Sequence, residues 1–160
     1  MMDYLPDKRG VSLIEMMVVA GVIVVLTACV FLILTGRRSQ SDLDSTTRQI
    51  ASLLREAQSR TVADESGARW GVHFENSTGT APFYALFRTS YSKNNLAGFY
   101  RLPASVGYAT SSLAAGASRE AIFNPISGAS SASTSIKINL LVNPSRSSTI
   151  SVASSGVVRY

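Results

Sequence analysis

The sequence predicts an α+β protein. A long N-terminal helix, membrane-spanning in its first half and amphipathic in its second, packs on a C-terminal antiparallel β domain of about seven short strands. Three observations carry this. Val11 to Leu34 is an apolar run broken only by Glu15. Leu43, Thr47, Ile50, Leu54 and Ala57 then recur at three- and four-residue spacing. From Ala68 onward that period gives way to alternation between strand-like runs and turn residues.

Composition sets the scale. Of 160 residues, about 125 remain beyond the apolar run, enough for one modest core and not for two domains. Charged residues are 16%, low for a soluble cytosolic domain. The net charge of +5 survives without the first ten residues, because Asp3 and Asp7 cancel Lys8 and Arg9. The excess is arginine-rich but spread out, with no basic block beyond Arg37-Arg38. That pattern favours scattered solubilising charge over a dedicated anion-binding face.

As a helix, Val11 to Leu34 is roughly 36 Å long, enough to cross a hydrocarbon core of about 30 Å with some tilt. A secretory signal has a shorter apolar core followed by a small-residue cleavage site. Here Thr35-Gly36-Arg37-Arg38 follows instead, which predicts a single-span anchor. Glu15 is costly in such a segment and implies a partner or a function. Two roles stand open from its position: a counter-charge for a free amino group at Val11, or a wetted side chain at headgroup depth. Gly21 leaves room for close approach of another helix.

The stripe from Leu43 to Ala57, flanked by Leu53, predicts an amphipathic continuation that lays one face on a sheet. Ser41 or Asp42 would fit an N-cap, but an unbroken helix is favoured. Asp64-Glu65-Ser66-Gly67 ends it, with Gly67 as C-cap.

Arg69 to Phe74 reads as the first strand, with Trp70, Val72 and Phe74 on one face. The opposite face holds Arg69, Gly71 and His73, which makes His73 a partly exposed strand residue. Phe83 to Arg88 is the hairpin partner. Tyr91 to Ala97 is a polar loop, and Gly98 to Leu102 a third strand stopped by Pro103. Arg119 to Phe123 is a fourth. Ser127 to Ser135 is a small, polar loop. Ser135 to Asn143 follows, with Ile136, Ile138, Leu140 and Val142 on one face and Lys137 and Asn139 opposite. Thr149–Ala153 and Gly156–Tyr160 close the chain as a hairpin around Ser154-Ser155-Gly156.

Gly10, then Val11-Ser12-Leu13-Ile14-Glu15 and the apolar helix, resembles the class III signal of type IV pilins and type II secretion pseudopilins. The resemblance implies cutting after Gly10 by prepilin peptidase, N-methylation at Val11, and Glu15 as the filament-assembly residue. Val11 departs from the Phe or Met that most members carry there. Leu54-Arg55-Glu56-Ala57-Gln58-Ser59-Arg60, Phe123-Asn124-Pro125-Ile126-Ser127-Gly128 and the terminal hairpin resemble the GspH/FimT group of minor pilins. These resemblances imply the pilin fold. They divide the chain into a leader at 1–10, a transmembrane or filament-core helix at 11–36, an amphipathic continuation at 37–66 and a β domain at 67–160. The implied partners are other pilin or pseudopilin subunits, the peptidase, an inner-membrane assembly platform and the membrane. The implied location is the inner membrane before assembly, with the soluble domain periplasmic or extracellular, and afterwards a cell-surface or periplasmic filament.

Little else carries chemistry. The single cysteine, Cys29, cannot form an intrachain disulfide, and one histidine excludes a multi-histidine metal site. No glycine-rich phosphate loop, zinc spacing, paired carboxylates or catalytic triad appears, so neither enzyme chemistry nor a cofactor is expected. Three functions compete. The first is a structural minor subunit of a pilus or pseudopilus. The second, taken from the resemblance to FimT, is DNA capture, for which Arg88, Arg101, Arg146 and Arg159 are the candidate contacts. Tyr84, Tyr91, Phe99, Tyr100 and Tyr108 would then offer stacking faces, although strand aromatics more often fill a core. The third is a plain membrane-anchored surface domain.

Overall fold

The computed structural model describes residues 12–63 and 67–160, with backbone alone at 31–37. The chain is α+β, and it divides into two compact units whose boundary falls between Arg38 and Ser39.

Helix α1 runs without interruption from Leu13 to Val62, so neither Ser41 nor Asp42 serves as an N-cap. In the first unit, Leu13–Val30 is long and apolar enough to cross a membrane, and its side chains are exposed. In the second unit the predicted stripe is the buried one. Leu43, Thr47, Ile50, Leu54 and Ala57 are each 4% exposed or less, while Arg48, Gln49 and Arg55 face solvent. The helix ends earlier than expected. Its last residue is Val62, and Gly67, with φ +61°, lies too far along the chain to be its C-cap. Asp64, Glu65 and Ser66 lie outside the described residues. Thr61 ties this end of the helix to the β domain. Its hydroxyl donates to the Ala57 carbonyl at 2.8 Å and accepts the Trp70 N–H at 3.0 Å.

Among the described residues eight strands follow, arranged in two four-stranded sheets. The first has the order β3-β2-β1-β5, built from β1 Trp70–Glu75, β2 Phe83–Arg88, β3 Leu96–Arg101 and β5 Ser118–Ile122. The second has the order β4-β6-β7-β8, built from β4 Val106–Tyr108, β6 Thr134–Leu140, β7 Ser147–Val152 and β8 Val158–Arg159. Every pairing is antiparallel. The β1–β2 and β7–β8 hairpins fall where the sequence predicts them. The unforeseen strand is β4, three residues that pair with Tyr108 opposite Ile138.

One core unites the helix and both sheets. Leu43, Ile50 and Leu54 meet Trp70, Val72 and Phe74 of the first sheet, together with Ile136, Ile138 and Ile150 of the second. Tyr108 stitches the sheets by donating its hydroxyl to the Phe83 carbonyl at 2.9 Å. Tyr84 and Tyr108 are 1% and 5% exposed. They fill the core and cannot offer stacking faces.

Two expectations fail for identifiable reasons. Val142 does not share the buried face of Ile136, Ile138 and Leu140, and is 88% exposed. Strand β6 ends at Leu140, short of Asn143, where the chain enters a turn closed by the Arg146 N–H to Asn143 carbonyl bond at 3.0 Å, and Pro144 within it has no N–H for the β6–β7 ladder. His73 is only 4% exposed. The face of β1 expected to be open is covered by Phe83 and Phe87 of β2 and by Tyr91 from the following loop.

Candidate functional site

The leader junction, Gly10 and Val11, lies outside the described residues. The helix that follows it is described. The Ser12 carbonyl accepts the N–H groups of Glu15 at 3.0 Å and Met16 at 3.2 Å, so helical bonding begins at once. Glu15 sits in the first turn of α1 with an exposed side chain. A carboxylate there is favoured by the partial positive charge of the helix N-terminus. Ser12 and Glu15 have the spacing of a capping box, but the box is not formed. Among the described residues the Glu15 side chain has no partner.

The four arginines do not converge. Arg88 ends β2, whereas Arg101 pairs with Phe83 at the start of β2. Five residue steps of about 3.4 Å separate them along the sheet, roughly 17 Å. Arg146 and Arg159 belong to the other sheet. Arg146 precedes β7, and its Nη1 donates to Gln40 Oε1 at 3.0 Å. Arg159, in β8, pairs with Ser151 near the far end of β7. All four are exposed. Of the candidate stacking rings in the first sheet, Phe99 is 48% exposed and lies 6.0 Å from the Arg101 guanidinium carbon. Tyr100 stacks on buried Tyr84 with centroids 5.4 Å apart.

A polar cluster around His73 joins residues that lie far apart in the sequence. His73 Nδ1–H donates to Glu120 Oε1 of β5 at 3.0 Å, and its Nε2 lies 3.4 Å from Glu75 Oε2. Tyr91 lies flat on the imidazole. Register explains the grouping, because His73 and Glu120 are cross-strand partners and side chains two apart on β1 share a face. Burial, and then the charges of Glu75 and Glu120, push the Tyr91 phenol above its ordinary pKa. Among the described residues, no group of three His, Cys, Asp or Glu side chains is placed to hold a metal ion.

Open grooves are shallow in chemistry. One is lined by Asp44, Thr47, Arg48, Ser148 and Tyr160. Another, of about 350 Å³, lies along β6, β7 and β8 and is lined mainly by serine, threonine and small apolar side chains, with Arg159 at one side.

Comparison with protein-family models, with curated proteins and with solved structures finds no match. The fold and its surfaces define a class: an α+β chain led by a helix long and apolar enough to cross a membrane.

Proposed function

We propose that this chain is a structural minor subunit of a type IV pilus or a type II secretion pseudopilus, of the GspH/FimT kind. The observation that carries the reading is the junction Gly10-Val11-Ser12-Leu13-Ile14-Glu15 leading directly into an apolar helix. Prepilin peptidase cuts after Gly10 and methylates Val11. The new amino group is matched by Glu15 of the same or a neighbouring subunit, and the helix leaves the bilayer for a helix-packed filament core. Before that step the chain is held in the inner membrane by Leu13–Val30. The continuity of α1 and its burial against an antiparallel β domain support this reading without being specific to it. The role is one of assembly, and no reaction is assigned to the chain.

DNA capture draws no support from the positions of Arg88, Arg101, Arg146 and Arg159, which lie at separate places on two sheets.

Intact-mass analysis of the membrane-extracted protein from peptidase-competent cells tests the proposal. The expected chain starts at Val11, with or without one added methyl group. A chain that retains its first ten residues in such cells would sink it.

A further inference from the structure

Strand β7 is paired along its whole length on one side only. Toward β6 it bonds through its even-numbered residues. Leu140 N–H donates to the Arg146 carbonyl at 3.0 Å, and the register carries that pattern through Ser148 opposite Ile138 and Ile150 opposite Ile136. Antiparallel bonding alternates, so the N–H and C=O groups of Ser147, Thr149, Ser151 and Ala153 point to the other edge. There Ala153 N–H donates to the Val157 carbonyl at 3.0 Å, and Ser151 pairs with Arg159. Strand β8 ends at Arg159. Among the described residues nothing pairs with the backbone of Ser147 and Thr149 on this edge, and both residues are exposed.

The open edge borders a slot of about 250 Å³, lined by Asp44, Thr47 and Arg48 of α1, Ser148 of β7 and Tyr160. All of these belong to the second unit. Ser148 shares the core-facing side of β7 with Ile150 and Val152, so a residue laid opposite Ser148 sends its side chain into the slot. Arg48 donates its Nε–H to the Asp44 carbonyl at 3.2 Å, and among the described residues its two terminal nitrogens have no partner. The Asp44 carboxylate is already served, accepting from Gln40 Nε2 at 3.1 Å. Arg55, 5.3 Å from the Tyr160 ring centroid, and Arg146, next to Ser147, add positive charge at either end.

We infer that the β7 edge binds an extended peptide segment of a partner protein, laid against Ser147–Thr149 in line with β8, with an aspartate or glutamate opposite Ser148 that meets Arg48. The unpaired groups of Ser147 and Thr149, about 7 Å apart, match the two-residue repeat of an extended chain. A second copy has no such strand to give. Its strand carboxylates, Glu75 and Glu120, are held at His73, and the outer edge of β5 is closed by Ser131 and Thr134. This contact is separate from assembly through α1 and stands whether or not that proposal does.

The test uses the full chain in detergent micelles and three end-capped heptapeptides of threonine and valine. One has a central glutamate, one a central lysine, and one the glutamate with N-methyl groups on the two residues flanking it. The glutamate peptide should bind saturably, with a Kd below about 1 mM. At ten times its Kd it should slow hydrogen exchange of the Ser147 and Thr149 amides by about tenfold. Ser148, whose N–H lies in the β6–β7 ladder, should not change. The lysine and N-methylated peptides should each bind about tenfold more weakly, and Arg48→Glu should reverse the preference between glutamate and lysine. Failure of the glutamate peptide to bind, or equal binding of the N-methylated one, overturns the strand addition. Equal binding of the glutamate and lysine peptides overturns the Arg48 contact. Protection of Ser147 and Thr149 that rises with protein concentration in the absence of peptide assigns the edge to a second copy and also overturns the inference.

Discussion

The imidazole of His73 and the phenol ring of Tyr91 lie face to face, with centroids 3.6 Å apart and planes within 1° of parallel. Tyr91 comes from the loop after β2, which leaves the strand through Thr89 at φ +67°. The stack is what seals His73 on the outer side of the first sheet. Tyr91→Ala should open that cover, lowering stability by about 1–2 kcal/mol, the worth of an aromatic pair plus part of its burial. Hydrogen exchange should speed up most at residues 89–95 and leave the amides of β6 and β7 unchanged. Urea unfolding of the variant, with the same slope and a lower midpoint, checks the size of the effect.

This same stack marks the limit of the sequence reading. The inward stripe Leu43-Thr47-Ile50-Leu54-Ala57 was legible because helix periodicity is local. The burial of His73 was not, because its cover comes from a loop and its carboxylate partner Glu120 from a strand 47 residues away. Strand β4 was hidden because three residues, one of them Gly107, carry no measurable alternation. Val142 continues the alternation of the sequence past Leu140, where β6 ends and the turn leaves its side chain in solvent. The arginines could be named from the sequence, but only strand register shows that Arg88 and Arg101 sit at opposite ends of β2. The leader junction is the reverse case. It is read wholly from sequence and lies outside the described residues.

Gly156 is irreplaceable for two separate reasons. Its φ is +88°, and a Cβ there would strike the Gly128 carbonyl oxygen and approach Gln58 Nε2 to 2.5 Å. Gln58 Nε2 already donates to that carbonyl at 2.9 Å, tying α1 to the 124–130 turn. Gly156→Ala should therefore cost about 3 kcal/mol, from backbone strain and the displaced contact. Gln58→Ala loses one hydrogen bond and should cost about 1 kcal/mol. Thermal or urea unfolding of the two variants should rank them in that order.

Stability should fall in strong alkali. Burial, and then neighbouring Tyr100, push the Tyr84 phenol up to about 12. Tyr108 is raised further still, by burial and then by Tyr84. A phenol whose pKa is higher folded than unfolded binds its proton more tightly when folded. Its contribution is fully present below the unfolded value of about 10, and it is lost as pH rises from there through the folded value. Unfolding free energy should be flat for these groups near neutrality and decline steeply above about pH 10. Tyr108→Phe should be about 1 kcal/mol less stable at pH 7, having lost the bond to the Phe83 carbonyl. It should also show a shallower alkaline decline, read by urea unfolding at a series of pH values.

Separated arginines predict a particular kind of DNA binding. A gel shift with the fragment from Arg37 onward should show at most weak retardation at low salt that vanishes at physiological salt, as expected for scattered charge. Arg88→Ala, Arg101→Ala, Arg146→Ala and Arg159→Ala should each lower it by a similar small factor, less than about threefold. One variant that alone abolished binding would reveal a focused site.

Glu15 gives the sharpest test, because its competing roles differ in magnitude. A wetted or first-turn carboxylate interacting with the helix N-terminus contributes about 0.3–1 kcal/mol. Its removal would scarcely change how much protein enters a filament. A carboxylate matched to an amino group inside a helix-packed core is a buried ion pair, and breaking one costs about 3–5 kcal/mol. Glu15→Ala should therefore leave cutting after Gly10 intact, as intact mass would show, while sheared filaments lose the subunit by about a hundredfold or more. The missing protein should be recovered from the membrane fraction, still held by its apolar run. Normal incorporation of the processed variant would return Glu15 to a local helix role and remove the assembly contact from the proposal.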